Sequence, residues 1–353
     1  MENLFFELIQ VALGERDRLS QNPTSEEWRS LYAMAEKQTM FGVCFQGIEF
    51  LHGQKQTPPQ NLLFEWIAMT EYIKKKNESL DKQCIRLQTI LQEAGIRSSI
   101  LKGQGIARYY GELAQLRQPG DIDIYVDCGR KRALQFAYDI GQKEVSWDYK
   151  HLHLDIFKDT EVEVHYRVEV LLNLWKNRKL QQWFKNHEEK LFSENGNFVT
   201  PTIEFNRFYI LLHIYRHFLY EGIGLRQLLD YYFVLKANTN HTNLTYLKDL
   251  LKEYGMWKFA QGIMWVLQEV FGMEKEYMIC EPLESEGKFI LSEVMEGGNF
   301  GHHDMRIEYS QDGKLQTVKK IVKHNRHLIR HYPSEVIWPP IWFVWHKCWK
   351  WSR

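Results

Sequence analysis

The stretch Asp121-Ile122-Asp123-Ile124-Tyr125-Val126 restricts what this chain can build more than any other. Its alternation of polar and β-branched residues fits a strand. Side chains alternate across a strand, so Asp121 and Asp123 point to one face while Ile122, Ile124 and Val126 point to the other. One face must be buried, and the other must carry two like charges side by side. Carboxylates so placed raise one another's pKa unless a cation lies between them. Oxygen ligands of this kind suit a hard divalent ion, Mg²⁺ or Mn²⁺.

The residues before this strand add a second feature. Ser98–Leu101 reads as a short strand, Lys102-Gly103-Gln104 as a turn, and Gly105–Tyr110 as the helix that follows. A glycine at such a turn permits close backbone approach, and a helix N-terminus offers free N–H groups to phosphate. Lys102 and Arg117 are placed to neutralise phosphate charge. Gly103-x-Gly105 lacks the third glycine of a dinucleotide fingerprint, because Arg108 stands there. After the aspartates, Arg132–Ile140 reads as a crossover helix, and His151–Phe157 and Glu161–Tyr166 as antiparallel strands. Glu161 and Glu163 share one strand face with His165, and Val162 and Val164 share the other. Taken singly, each feature has an ordinary explanation in a solvated strand face or a strand-to-helix turn.

Taken together, the Lys-Gly turn, helix, arginine and Asp-x-Asp strand resemble the core of the nucleotidyltransferase superfamily, the polymerase-beta-like fold. More narrowly, the chain resembles the divergent bacterial proteins described as uncharacterised nucleotidyltransferases. The likeness continues through Glu163-Val164-His165 and Gly222-Ile223-Gly224-Leu225-Arg226-Gln227-Leu228-Leu229-Asp230. One departure is Gln104, which occupies the place where the superfamily usually carries serine or glycine, with a longer gap to the acids. The resemblance implies an α+β fold, a small mixed sheet flanked by N- and C-terminal helical regions. It implies that Asp121, Asp123 and Glu163 are catalytic and hold Mg²⁺ or Mn²⁺. Lys102, Gly103, Gln104 and Arg117 would bind the nucleotide, and His165, Arg226 and Asp230 the substrate. The reaction would move NMP, with AMP as the first choice, from a nucleoside triphosphate to a hydroxyl or similar group of a small-molecule or protein acceptor. The same residues also allow a non-catalytic nucleotide- or partner-binding descendant, or a metal-dependent phosphodiesterase.

The rest of the sequence sets the frame. Lys plus Arg equals Asp plus Glu at 45 each, so the net charge is zero and the basic surplus of a nucleic-acid binder is missing. Cys44, Cys84, Cys128, Cys280 and Cys348 lack CxxC spacing, which suits reduced thiols. The first residues carry acids inside their apolar run, unlike a signal peptide, and no run approaches the ~20 apolar residues of a membrane span. A cytoplasmic location is the expectation. Three regions are expected: helical 1–95, the α/β core 96–170, and helical 171–353. In the first, Thr24-Ser25-Glu26-Glu27 forms a capping box and Leu62–Leu91 a long helical pattern around Lys74-Lys75-Lys76. In the third, helices are expected over Asn206–Tyr220, Leu225–Leu235, Leu244–Tyr254, Trp257–Phe271, Gly287–Met295 and Leu315–Arg330. His213 and His217, one turn apart on an apolar helix, read as core packing. Trp338, Trp342, Trp345 and Trp349 share one helix face and read as a strap on the core.

Overall fold

A helix of 34 residues, α4 (Gln60–Glu93), runs through the computed structural model and joins its two cores. Its buried positions are Leu62, Trp66, Thr70, Ile73, Asn77, Leu80, Cys84, Leu87 and Leu91, steps of three and four that keep one stripe inward. Leu62, Trp66 and Ile73 enter the larger apolar cluster, whereas Leu80, Cys84, Leu87 and Leu91 enter a second cluster beneath the sheet. The structure describes residues 1–194, 196–237, 243–298 and 328–352.

The sheet has four strands: β1 (Ser98–Ile100), β2 (Ile122–Val126), β3 (His151–Phe157) and β4 (Thr160–His165), in the order β1-β2-β4-β3. β2 and β4 are parallel, and the two outer pairings are antiparallel. Helix α6 (Gly129–Asp139) makes the crossover between the parallel strands. Alternation sends Ile122, Ile124, Val126, Leu152, Leu154, Val162 and Val164 to one face, where they pack with α6 and the second half of α4. The opposite face carries Asp123, Tyr125, His151, Glu163 and His165. The expected mixed sheet is present, and the α+β class holds.

Around this unit lie α1 (Glu2–Ala12), α2 (Ser25–Lys37) and α3 (Phe41–Leu51) before it, and α7 (Leu174–Asn186), α8 (Ile203–Tyr220), α9 (Leu225–Lys236), α10 (Leu244–Glu253), α11 (Trp257–Phe271) and α12 (Glu284–Gly297) after it. The Thr24 capping box forms, with the Thr24 side chain accepting from Glu27 N–H. Early and late helices share one apolar cluster, in which Phe5 and Leu8 of α1 are buried together with Val266 and Phe271 of α11. Helix α8 is buried on nearly every side, which is why its sequence shows little amphipathic contrast. Helix α7 and the two-stranded ribbon β5 (Ser193–Glu194) and β6 (Val199–Thr200) were not expected from the sequence. The expected helix Leu315–Arg330 lies outside the described residues except for 328–330.

The expected helix after the Lys-Gly turn is shorter than its pattern suggested. α5 is a single turn, Gln104–Ala107, followed by a 3-10 segment, Arg108–Leu116, that kinks at Gly111. Asn77 of α4 ties this segment down, donating from its amide nitrogen to the carbonyls of Gln115 (2.9 Å) and Arg117 (2.8 Å). Lys74 pairs with Glu71 and Lys76 with Asp159, so two of the three consecutive lysines serve local ion pairs. The terminal helix Pro339–Trp351 buries none of its own residues and packs on a loop rather than on the core expected for it: Trp342, Trp345 and Trp349 meet Tyr149 edge-on with ring centroids 5.3, 5.1 and 5.0 Å away. Tyr149 sits in the loop between α6 and β3.

A Cβ added at Gly105 would lie 2.7 Å from the carbonyl oxygen of Ile100, a backbone atom that cannot swing aside. Gly105→Ala should therefore destabilise the fold by about 1–3 kcal/mol, read from urea or thermal unfolding.

Candidate active site

The parallel pairing of β2 and β4 sets the geometry. Asp123 is in register with Glu163, and Tyr125 with His165, so alternate residues of both strands emerge on the same face. Asp121 lies one residue before β2. Carboxylate oxygens of Asp121, Asp123 and Glu163 all fall within 4.8 Å of one another. Leu101 N–H donates to the carbonyl of Asp123 at 2.9 Å and brings the Lys102-Gly103 turn beside the acids. Gly103 has φ +53°, which favours glycine at this turn. Lys102 Nζ then reaches Asp123 Oδ1 at 2.8 Å.

His165 completes the cluster from below. Its Nε2–H donates to Asp123 Oδ1 (2.8 Å) and to Glu163 Oε2 (3.1 Å). His151 Nδ1 lies 3.3 Å from the same Glu163 oxygen. These partners divide the acids into two kinds. Burial opposes ionisation of Asp123, yet Lys102 and His165 outweigh it and hold the carboxyl well below its usual range. Glu163 is half-buried and is drawn down to about 2, with the His165 hydrogen bond outweighing the desolvation. Asp121, exposed at the edge of the cluster, has no such hydrogen-bonding partner among the described residues, and the Asp123 charge pushes its carboxyl up to about 6. The mutual repulsion expected of the whole trio is thus concentrated on Asp121.

A cation fits here. Three oxygen donors converge, one of them electrostatically unsatisfied, and the donor set suits a hard divalent ion. Two other groups that could hold a metal, His151/Glu163/His165 and His153/Glu161/Glu163, both include Glu163 and add imidazole nitrogen.

The acids open into a cleft of about 470 Å³ between the polar sheet face and helices α8 and α9. Lys102, Gly103, Arg117, Asp121, Asp123, Glu163, Arg226 and Asp230 all line it. Arg117 and Asp230 line it as a pair. The guanidinium grips Asp230 through Nε (2.7 Å) and Nη2 (2.8 Å), and Tyr110 Oη–H donates to the same carboxylate at 2.7 Å. Both sides of the Arg117 fork are thereby committed, and the partner of Asp230 is Arg117 rather than Arg226, its neighbour on α9.

Arg226 is the cation left over. Its Nη1 donates to the carbonyl of Gln118 at 3.1 Å, and it has no acidic partner within ion-pair distance among the described residues. Burial, then the nearby Arg117 charge, depresses its pKa. Gln104 stands apart from the other expected nucleotide ligands: its buried side chain donates to Asp81 of α4 at 2.7 Å, outside the cleft lining. His165 is within the acid cluster but buried behind it.

The model described as uncharacterised nucleotidyltransferase matches residues 24–272. The chain belongs to that family. No curated protein and no solved structure matches it. The matched span contains every cleft residue from Lys102 to Asp230 and leaves the tryptophan-rich terminal helix outside.

In this member of the family, Lys150, His151, His213, Arg216, His217 and Glu221 also line the cleft and were not expected there. The helical period did show that His213 and His217 lie one turn apart on α8. An apolar helix bearing two histidines looked like core because nothing local reveals that the sheet stands off from that face.

Two unfolding measurements without divalent ions separate the acids. Asp121 is disfavoured as a carboxylate in the folded state, so its penalty grows as pH rises from 3.8 towards about 6 and persists above it. Asp121→Asn should therefore melt higher than wild type at pH 8 and similarly at pH 3. Asp123→Asn removes the charge that Lys102 and His165 face and should cost up to about 3–5 kcal/mol at pH 8. Added Mg²⁺ or Mn²⁺ should stabilise the wild type and do so much less for either variant.

Proposed function

We propose that the cleft is a nucleotidyl-transfer site, using a nucleoside triphosphate, with ATP as the first choice, to place NMP on a hydroxyl or similar group of a small-molecule or protein acceptor. The observation that carries this reading is the convergence of Asp121, Asp123 and Glu163 beside the Lys102-Gly103 turn, on a chain of the nucleotidyltransferase family. Mg²⁺ or Mn²⁺ held by these carboxylates would supply charge neutralisation for the in-line displacement at the α-phosphate.

The chain's own residues divide the remaining work. Lys102 offers a cation at the mouth of the acid cluster, and the Gly103 turn brings the backbone close to the nucleotide. Arg226 supplies a cation with no ion-pair partner among the described residues and is the better candidate for contact with the triphosphate or the pyrophosphate leaving group. Arg117, held by Asp230 and Tyr110, acts through the shape and rigidity of the cleft wall. His165 orients Asp123 and Glu163 by donating to both.

The test is pyrophosphate release from ATP with Mg²⁺ or Mn²⁺ and a cell extract as acceptor source, with labelled product followed by mass spectrometry. Wild type should release pyrophosphate and label an acceptor. Glu163→Gln should lose roughly 10²–10³-fold or more in kcat. Arg226→Met should chiefly raise KM for the triphosphate, while the same change at Arg117 should lower the melting temperature. Phosphodiester hydrolysis without triphosphate would favour the phosphodiesterase, and tight nucleotide binding without turnover under either metal would favour the non-catalytic descendant.

A further inference from the structure

On the α8 side of the cleft lies a second constellation that the carboxylate cluster does not use. Glu169, in the segment between β4 and α7, is fully buried. Its carboxylate meets His213 Nδ1 at 2.9 Å, Arg216 Nε at 3.0 Å and Lys150 Nζ at 3.4 Å. Burial alone would neutralise this acid, but Lys150, Arg216 and His213 prevail and keep it ionised. A carboxylate can only accept a hydrogen bond, so the Nδ1 of His213 carries the proton. The lone pair is then on Nε2, and His213 itself lines the cleft.

This is the arrangement that makes imidazole a proton acceptor. A buried carboxylate fixes the tautomer and ring orientation, and stabilises the imidazolium formed when Nε2 takes a proton. Burial, followed by the charge of Lys102 and the neighbouring His217, keeps the resting ring neutral. Lys102 bridges the two halves of the site, because its ammonium contacts Asp123 and interacts electrostatically with both His213 and Glu169. The acid cluster and the histidine therefore line a single cleft.

We propose that His213 is the general base for the acceptor, positioned by Glu169, and that the acceptor nucleophile is a neutral hydroxyl rather than a phosphate or carboxylate. The inference rests on the transferase reading above. In the step, His213 Nε2 takes the proton of the acceptor O–H while that oxygen bonds to the α-phosphorus. The bond from the α-phosphorus to the β-phosphate's bridging oxygen breaks, and pyrophosphate leaves with the electron pair. The imidazolium then gives its proton to solvent. An acceptor that is already anionic would have no proton for this base to remove.

The experiment has a kinetic arm and a spectroscopic arm. With ATP, Mg²⁺ and either water or a simple alcohol as the probe nucleophile, His213→Gln should lower kcat for pyrophosphate release by roughly 10²–10⁴-fold. ATP affinity by equilibrium binding should be unchanged. In His213→Ala, added imidazole should restore part of the rate, which a packing role would not allow. Nitrogen NMR of the full-length wild type should find His213 protonated at Nδ1 and bare at Nε2. Glu169→Gln can face the ring with either amide atom, so it should mix the tautomers and lower kcat with KM unchanged. If His213→Gln keeps its rate while Asp123→Asn loses it, the base assignment is overturned and the transferase reading stands. An Nε2-protonated ring in the wild type overturns the assignment by itself. A wild type that releases no pyrophosphate with any nucleophile overturns the transferase reading and this role together.

Discussion

The parallel pairing of β2 with β4 is the constraint on which the site depends. It sets Asp123 beside Glu163 in register, and the two-residue alternation of each strand repeats the match at Tyr125 and His165. A one-residue slip of either strand would turn its acid into the apolar layer over α6 and bring its own aliphatic side chains out into the cleft. The burial of seven aliphatic side chains on the other face is therefore what holds the acids in place. Hydrophobic packing and electrostatics are coupled through the pleat.

Charge is distributed economically across this cleft. Asp123 and Glu163 have their charge met from within the protein by Lys102 and His165, Asp230 by Arg117, and Glu169 by Lys150 and Arg216. Two groups are left out of the pairing: Asp121, whose carboxyl is pushed up by its neighbour, and Arg226, whose guanidinium is pushed down by burial and by Arg117. They are of opposite sign and line the same space. A ligand pair of a divalent cation and a polyphosphate would satisfy both at once, one at each group. Closely paired buried charges cost desolvation and rarely add stability, so their retention here is better understood as pre-organisation of the cleft.

Most of the sheet and the Asp121/Asp123 pair were legible in the sequence because they rest on short-range rules, whereas the third acid, Glu163, was implied by the family resemblance. Alternation over Asp121–Val126 and Glu161–His165 identifies strands and faces without any knowledge of partners. The Lys102-Gly103 turn was legible for the same reason, since a positive φ selects glycine locally. The length of α5 was not. A helical pattern continued past Ala107, but Asn77 of a distant helix captures the carbonyls of Gln115 and Arg117 and draws the following segment into a 3-10 path. Gln104 then turns to Asp81, also on that distant helix.

The sequence by itself determined which strand faces are apolar, that Asp121 and Asp123 share the other face, and that the terminal tryptophans share a helix face, because each follows from the period of a single element. Tertiary structure decided which charges are spent and which remain. Arg117 and Arg226 are alike in sequence terms, yet only Arg117 meets Asp230, because α9 brings its acid to the loop before β2. His213 reads as packing on an apolar helix until α8 is laid across the sheet, where Glu169 of another segment binds one ring nitrogen and the cleft lies beside the ring. Ion pairing depends on a few ångströms between residues 44 and 113 positions apart, and no local period encodes that distance.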